Sequence, residues 1–199
     1  MKFIKKIMIG IIGIVLAVLY AYNTWSVSIY DTNIDSSTYE NVGEIKENDR
    51  VEQSFVCPNN GLKAVKIMLN NSDIENDTEY KWCLKEDDNE LRSGEFKAND
   101  IDNSQAIEFE FDVLEDSKGK EYQFEIEAKE SDSEQGIIVK KTKADSDQEN
   151  GFIFNGEQEE QVLVLTQEIQ YLNIETAIVF VGLYLYLIIF MTFLMKLFK

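Results

Sequence analysis

Two kinds of apolar pattern alternate along this chain, and they ask for different surroundings. From Ile7 to Tyr22 there are 16 residues without a charge, and from Thr176 to Met195 another 20. Between these runs the apolar positions fall into a period of two. "IEFEFDVL" sets Ile107, Phe109, Phe111 and Val113 against charged neighbours, and "KEYQFEIEAK" does the same with Tyr122, Phe124, Ile126 and Ala128. "RVEQSFV", "LKAVKIMLN" and "TEYKWCLKE" alternate through Val51 and Phe55, Val65 and Ile67, and Tyr80, Trp82 and Leu84. Later come "GIIVKKT", "GFIFNG" and "QVLVLTQEIQ". A period of two describes a strand with one buried and one solvated face. Roughly eight such strands, separated by turns rich in Asn, Asp, Ser and Gly and with no helical period between them, predict an all-β antiparallel sandwich.

The two long runs predict helices that cross a bilayer, for which ~20 apolar residues are needed. Thr176–Met195 meets that length, while Ile7–Tyr22 reaches it with help from Phe3, Ile4 and Trp25. A basic start before a short apolar stretch is also the layout of a secretory signal, with Val15-Leu16-Ala17 as its cleavage region. The bulky Tyr20, Tyr22 and Trp25 that follow favour a retained anchor. Five of the 19 basic residues, Lys2, Lys5, Lys6, Lys196 and Lys199, flank the outer ends of these runs, and all 37 acidic residues lie between them. Basic flanks stay on the cytoplasmic side. The expected organisation is therefore an N-terminal anchor (1–25), a stalk (26–49), an extracellular β-sandwich (50–172) and a C-terminal transmembrane helix (173–199), with both termini cytoplasmic.

Charge and composition narrow the chemistry. A net charge of −18 repels phosphate backbones, so nucleic acid is excluded as a partner. The chain has no histidine, which removes Ser-His-Asp and Cys-His catalysis and His-bearing zinc sites. With 37 acids, some carboxylate pair always stands at glycosidase spacing, so no catalytic pair is singled out and no enzyme is expected. "DSDQENG" places Asp145, Asp147 and Glu149 at alternate positions as a candidate calcium loop, without the glycine or the closing acid of a full one; otherwise no cofactor is expected. Cys57 and Cys83 face an oxidising space in this topology and are either bridged or small buried hydrophobes. Asn70 and Asn76 open N-glycosylation patterns, which are silent in a chain of this Asn-, Lys-, Ile- and Glu-rich, bacterial composition. Tyr184, Tyr186 and Thr192 carry polar tips within the second apolar run; they serve either pairing with a neighbouring membrane protein or, for the tyrosines, a reach to the membrane interface or to a backbone carbonyl.

A resemblance adds to this reading. "VEQSFV", "GLKAVKIML", "YKWCLKE", "IEFEFDVLEDSKGKEYQFEIEA" and "GFIFNGE" together resemble the jelly-roll, carbohydrate-binding-like ectodomain of bacterial multi-pass membrane proteins of cell-surface polysaccharide assembly, including glycosyltransferase-like proteins. The segment Asp116-Ser117-Lys118-Gly119-Lys120-Glu121-Tyr122 carries most of it, and the likeness spans about residues 50–170. In that group the domain is attached to a many-helix enzyme, whereas here one apolar run stands on either side. The resemblance implies a non-catalytic accessory or glycan-recognition module in cell-envelope polysaccharide assembly, with polysaccharide and a multi-pass membrane protein as partners. Sugar recognition needs exposed flat aromatics beside polar groups, for which Tyr80, Trp82 and Tyr122 are the candidates, although each shares parity with core positions. The alternative is a protein-binding subunit of a membrane complex without sugar affinity.

Overall fold

The computed structural model describes residues 2–71, 73, 75–103, 105–129, 135–145 and 151–198. The chain forms two compact units, Ser26–Ile169 and the combination of Met1–Trp25 with Gln170–Lys199. The first elements in chain order are α1 (Lys2–Ala21), β1 (Tyr22–Ser28), β2 (Glu40–Ile45), β3 (Arg50–Val56) and β4 (Leu62–Ile67). Then come β5 (Leu69–Asn70), β6 (Glu79–Glu86), β7 (Asn89–Lys97), β8 (Ile107–Leu114) and β9 (Glu121–Ala128). The chain continues through β10 (Ile137–Thr142), β11 (Phe152–Phe154), β12 (Glu157–Gln158), β13 (Val162–Leu163), β14 (Leu165–Leu172) and α2 (Ile174–Leu197).

The strands build mostly antiparallel sheets. One runs in the order β1-β14-β4-β8, a second β13-β10-β2 with β5 also on β10, and a third β12-β11-β3-β9-β6-β7. The alternation seen in sequence sets the buried faces. Tyr80, Trp82 and Leu84 of β6 lie in register with Ala128, Ile126 and Phe124 of β9, and all six are buried. Phe109 of β8 packs on this face, with ring centroids 5.6 Å from Trp82, 5.3 Å from Phe96 and 5.3 Å from Phe124. The β8 sheet and the six-stranded sheet therefore pack face to face through an aromatic cluster, the geometry in which offset and tilted rings attract. Trp82 also fixes its cross-strand partner: the indole lies over Gly94 of β7, where any Cβ would collide with it.

The segment 26–49, expected to be a stalk, belongs to the folded unit. Its β2 pairs with β10 through Ile45↔Ile137 and Glu44↔Ile138, and both Ile29 and Ile45 are buried. Asp35 caps the short 3-10 turn Ser36–Thr38 by accepting from the Ser37 amide. What read as polar stalk is an edge whose outward side chains are polar.

In the other unit, α2 is apolar around its whole circumference and buries none of its residues. Asn173 caps its start, accepting from the Thr176 amide at 3.0 Å. At 24 residues it is about 36 Å long by the usual rise, enough for a ~30 Å hydrocarbon layer. Among the described residues it is the one helix long and apolar enough to cross a membrane, and the apolar part of α1, Gly10–Ala21, is shorter. The two helices meet along small residues of α1 spaced four apart. The Tyr184 ring occupies the space that a Cβ on Gly13 would need, Ala17 and Ala21 are buried, and Tyr20 packs on Phe180 with centroids 4.6 Å apart. The Tyr184 ring is thus taken up within the chain. Thr192 donates to the Ile188 carbonyl at 2.8 Å, and Tyr186 stacks on Phe190.

Candidate functional site

The three aromatics expected to form a sugar platform are structural. Tyr80, Trp82 and Tyr122 are 0%, 7% and 1% exposed. Their parity points them at the opposing sheets, and a ring sealed in a core has no face to offer a ligand. The Tyr80 hydroxyl donates to the Ile45 carbonyl at 3.0 Å and accepts from the Ile137 amide at 3.1 Å, tying β6 to the β2–β10 ladder. Burial raises its pKa, and it pushes the Tyr122 phenol up to about 12.

Cys57 and Cys83 are both free and both buried. Cys57 shares the parity of core-facing Phe55, whereas Cys83 lies between Trp82 and Leu84 and faces the opposite side, in register with Glu125. Opposite faces of one sheet, two strands apart, rule out a bridge. Cys57 instead donates to the Asn59 carbonyl at 3.0 Å. Burial, with Glu125 adding to it, pushes the Cys83 thiol up to about 11, so it stays protonated and inert at neutral pH.

Of the calcium candidates, Asp147 and Glu149 lie outside the described residues. Asp145 is exposed and its amide donates to the Ile29 carbonyl. Among the described residues no group of three or more His, Cys, Asp or Glu side chains is placed to hold a metal. The glycosylation pattern at Asn76 is closed to modification in the folded chain. Its amide donates to the Gln135 carbonyl and its oxygen accepts from the Thr78 amide, with the residue 2% exposed.

Two features escaped sequence reasoning. The outer face of the six-stranded sheet carries a cross-strand row of Glu52, Glu125 and Cys83. Arg50 reaches Glu52 at 2.6 Å and Glu125 at 3.8 Å, Lys85 reaches Glu125 at 2.6 Å, and Gln123 donates to Glu52 at 2.6 Å. Both carboxylates are almost fully buried beneath these longer side chains. The two acids stand opposite one another in the ladder, and their oxygens are engaged by cations and an amide, which makes the row a brace for the face.

The second feature is a recess of about 290 Å³ lined by Val27, Ile29, Val56, Pro58, Asp145 and Gln167. It lies beside β3 beyond the point where β11 stops pairing, since that ladder covers only Val51–Gln53. No alternation in sequence signals it, because its lining comes from β1 and the residue after it, the end of β3, the turn that follows, β14 and Asp145, three residues beyond β10.

Comparison with protein-family models finds no match to this chain, and comparison with curated proteins finds none either.

Proposed function

We propose that the chain is a membrane-anchored, non-catalytic accessory module, with a β-domain of jelly-roll kinship held on the outer side of a bacterial membrane and serving a membrane complex of cell-envelope polysaccharide assembly. One observation carries the anchoring: α2 is 24 residues long, apolar on every side, and packs no residue into the chain's interior. A soluble protein has no use for such a surface, and lipid does. The basic residues outside the apolar runs support cytoplasmic termini and an outward β-domain.

Within this reading, the burial of Tyr80, Trp82 and Tyr122 favours a protein-binding subunit over a glycan reader. The β-domain keeps its large rings inside and presents a mixed-charge exterior, which suits contact with another protein better than stacking on sugar rings. Glycan recognition stays as the second reading, supported by the resemblance of the 116–122 segment, and would use polar side chains of the sheet exteriors.

The test is made in intact cells expressing the full-length chain. Carbonate-washed membranes should retain it, and protease added outside should remove the β-domain while leaving helix-bearing fragments. Recovery in the carbonate wash, or protection of the β-domain until the membrane is opened, would overturn the reading. Cosedimentation of the detergent-solubilised chain with isolated envelope polysaccharide separates the two roles: none is expected for the subunit, and saturable binding would favour the glycan module.

A further inference from the structure

Tyr186 stands at the middle of α2 with an exposed ring that stacks on Phe190 and, among the described residues, no hydrogen-bond partner for its hydroxyl. Thr192, by contrast, donates to the Ile188 carbonyl, and Tyr184 lies against Gly13 of α1. Eleven or twelve residues separate Tyr186 from either end of the helix, about 17 Å by the usual rise, and a tyrosine side chain spans far less. In a bilayer its hydroxyl cannot reach water. Lipid covers an apolar face as well as a protein does, so exposure alone says nothing about a partner. What lipid tails cannot supply is a hydrogen-bonding group at that depth.

The surroundings of Tyr186 say what does supply it. Gly182 and Tyr186 each stand two residues from Tyr184, about 200° around the helix and so on the side away from α1. That side carries Val179, Gly182, Tyr186, Ile189 and Phe193, spaced three and four apart as the a and d positions of a heptad. Its four large members are each at least 60% exposed. Copies inserted in the same sense set their α2 helices parallel, and in a parallel pair each knob enters a hole on the facing helix at the same depth. A knob as large as tyrosine needs a small neighbour in that hole. Gly182, one turn before Tyr186, is such a neighbour: it is exposed, and nothing of its own chain lies within 4 Å of where a Cβ would stand. The chain already seats one tyrosine on a glycine in this way, Tyr184 on Gly13. A hydroxyl both donates and accepts, so two of them across a two-fold axis satisfy each other with no further group.

We propose that α2 pairs with α2 of a second copy of this chain, parallel and with a left-handed twist, along Val179, Gly182, Tyr186, Ile189 and Phe193, with the two Tyr186 hydroxyls hydrogen-bonded at the centre. The proposal rests on α2 lying in the bilayer and adds the partner that covers its outer face.

Full-length chain labelled at its N-terminus with donor or acceptor fluorophore is reconstituted in phosphatidylcholine vesicles, and energy transfer is followed as the protein is diluted with lipid. Transfer that falls with dilution and fits two chains per complex is expected. Tyr186→Phe should weaken association about threefold or more, and Gly182→Leu, which fills the hole and touches nothing in its own chain, about tenfold or more. In cell membranes, oxidation should crosslink copies carrying Val179→Cys or Ile189→Cys but not Leu187→Cys, which lines the groove facing α1. Carbonate extraction of the same samples separates the two readings. Absence of transfer from a chain that resists carbonate, or transfer that either Tyr186→Phe or Gly182→Leu leaves unchanged, would overturn the pairing and leave the anchor standing. A chain released by carbonate would remove the anchor and the pairing together. A crosslink from Val179→Cys to a different protein, without transfer between copies, would overturn the second copy as occupant and assign the face to a heteromeric partner.

Discussion

A single hydroxyl at Tyr80 joins two sheets, and what it does there is a matter of one donor and one acceptor. Its ring is stacked on Phe96 at 5.3 Å and its oxygen bridges Ile45 and Ile137. Tyr80→Phe keeps the ring and leaves a buried carbonyl and a buried amide without that bridge. A loss of about 1–3 kcal/mol is expected, seen as a lower urea midpoint with an unchanged slope. An unchanged midpoint would mean that the β2–β10 ladder satisfies both groups without the hydroxyl. Titration provides a second residue-scale test. Cys83 rises from 9.0 to about 11 and Tyr122 from 10.0 to about 12, both chiefly through burial. The folded chain therefore holds these protons more tightly than the unfolded chain does. Their contribution is fully present below pH 9 and is lost as pH rises through about 11 and about 12. Stability should be flat in this respect up to pH 9 and fall steadily above it, with Cys83→Ser removing part of the fall and buried Cys57, also raised by desolvation, keeping part of it. Stability independent of pH across this window in wild type would contradict the burial of both groups.

Between elements, the strongest local device is the clasp of two turns. Ser117 is fully buried; its Oγ donates to the Asn59 carbonyl at 3.0 Å and accepts from the Leu62 amide at 3.2 Å. The Lys118 amide donates to Asn60 Oδ1, the Gly119 amide to the Cys57 carbonyl, and the Cys57 amide to the Lys120 carbonyl. Gly119 sits at φ 75°, a conformation that glycine takes without strain. Ser117→Ala should cost about 1–3 kcal/mol and speed hydrogen exchange at the Leu62 amide; exchange there as slow as in wild type would show that the turns hold without the hydroxyl. The 116–122 turn was visible in the sequence because its residue types are those of a turn. Its attachment to Pro58–Gly61 was not, because a clasp between positions more than fifty residues apart leaves no local pattern. The same holds for β2 and β12. Two to six residues with polar outward side chains show too few alternations to stand out, and their pairing comes from distant strands.

At the scale of the whole molecule, periodicity and length alone were enough for the main division. A stretch of 20 uncharged residues can satisfy its backbone in lipid only as a helix, and α2 spans it. Alternation through Tyr80 to Leu84, Ile107 to Val113 and Tyr122 to Ala128 can bury its apolar side only in a sheet, and β6, β8 and β9 follow. Parity likewise placed Tyr80, Trp82 and Tyr122 on inward faces, against their use as a sugar platform. What the tertiary structure alone decided was who meets whom. It put Cys57 and Cys83 on opposite faces, brought Tyr184 onto Gly13, enrolled residues 26–49 in the sheets, and gathered Val27, Val56, Asp145 and Gln167 around one recess. The physical reason is the range of the interactions. Which way a side chain faces is set by its neighbours one or two positions away, whereas a site is set by strand order, and strand order is chosen by the burial of the chain as a whole.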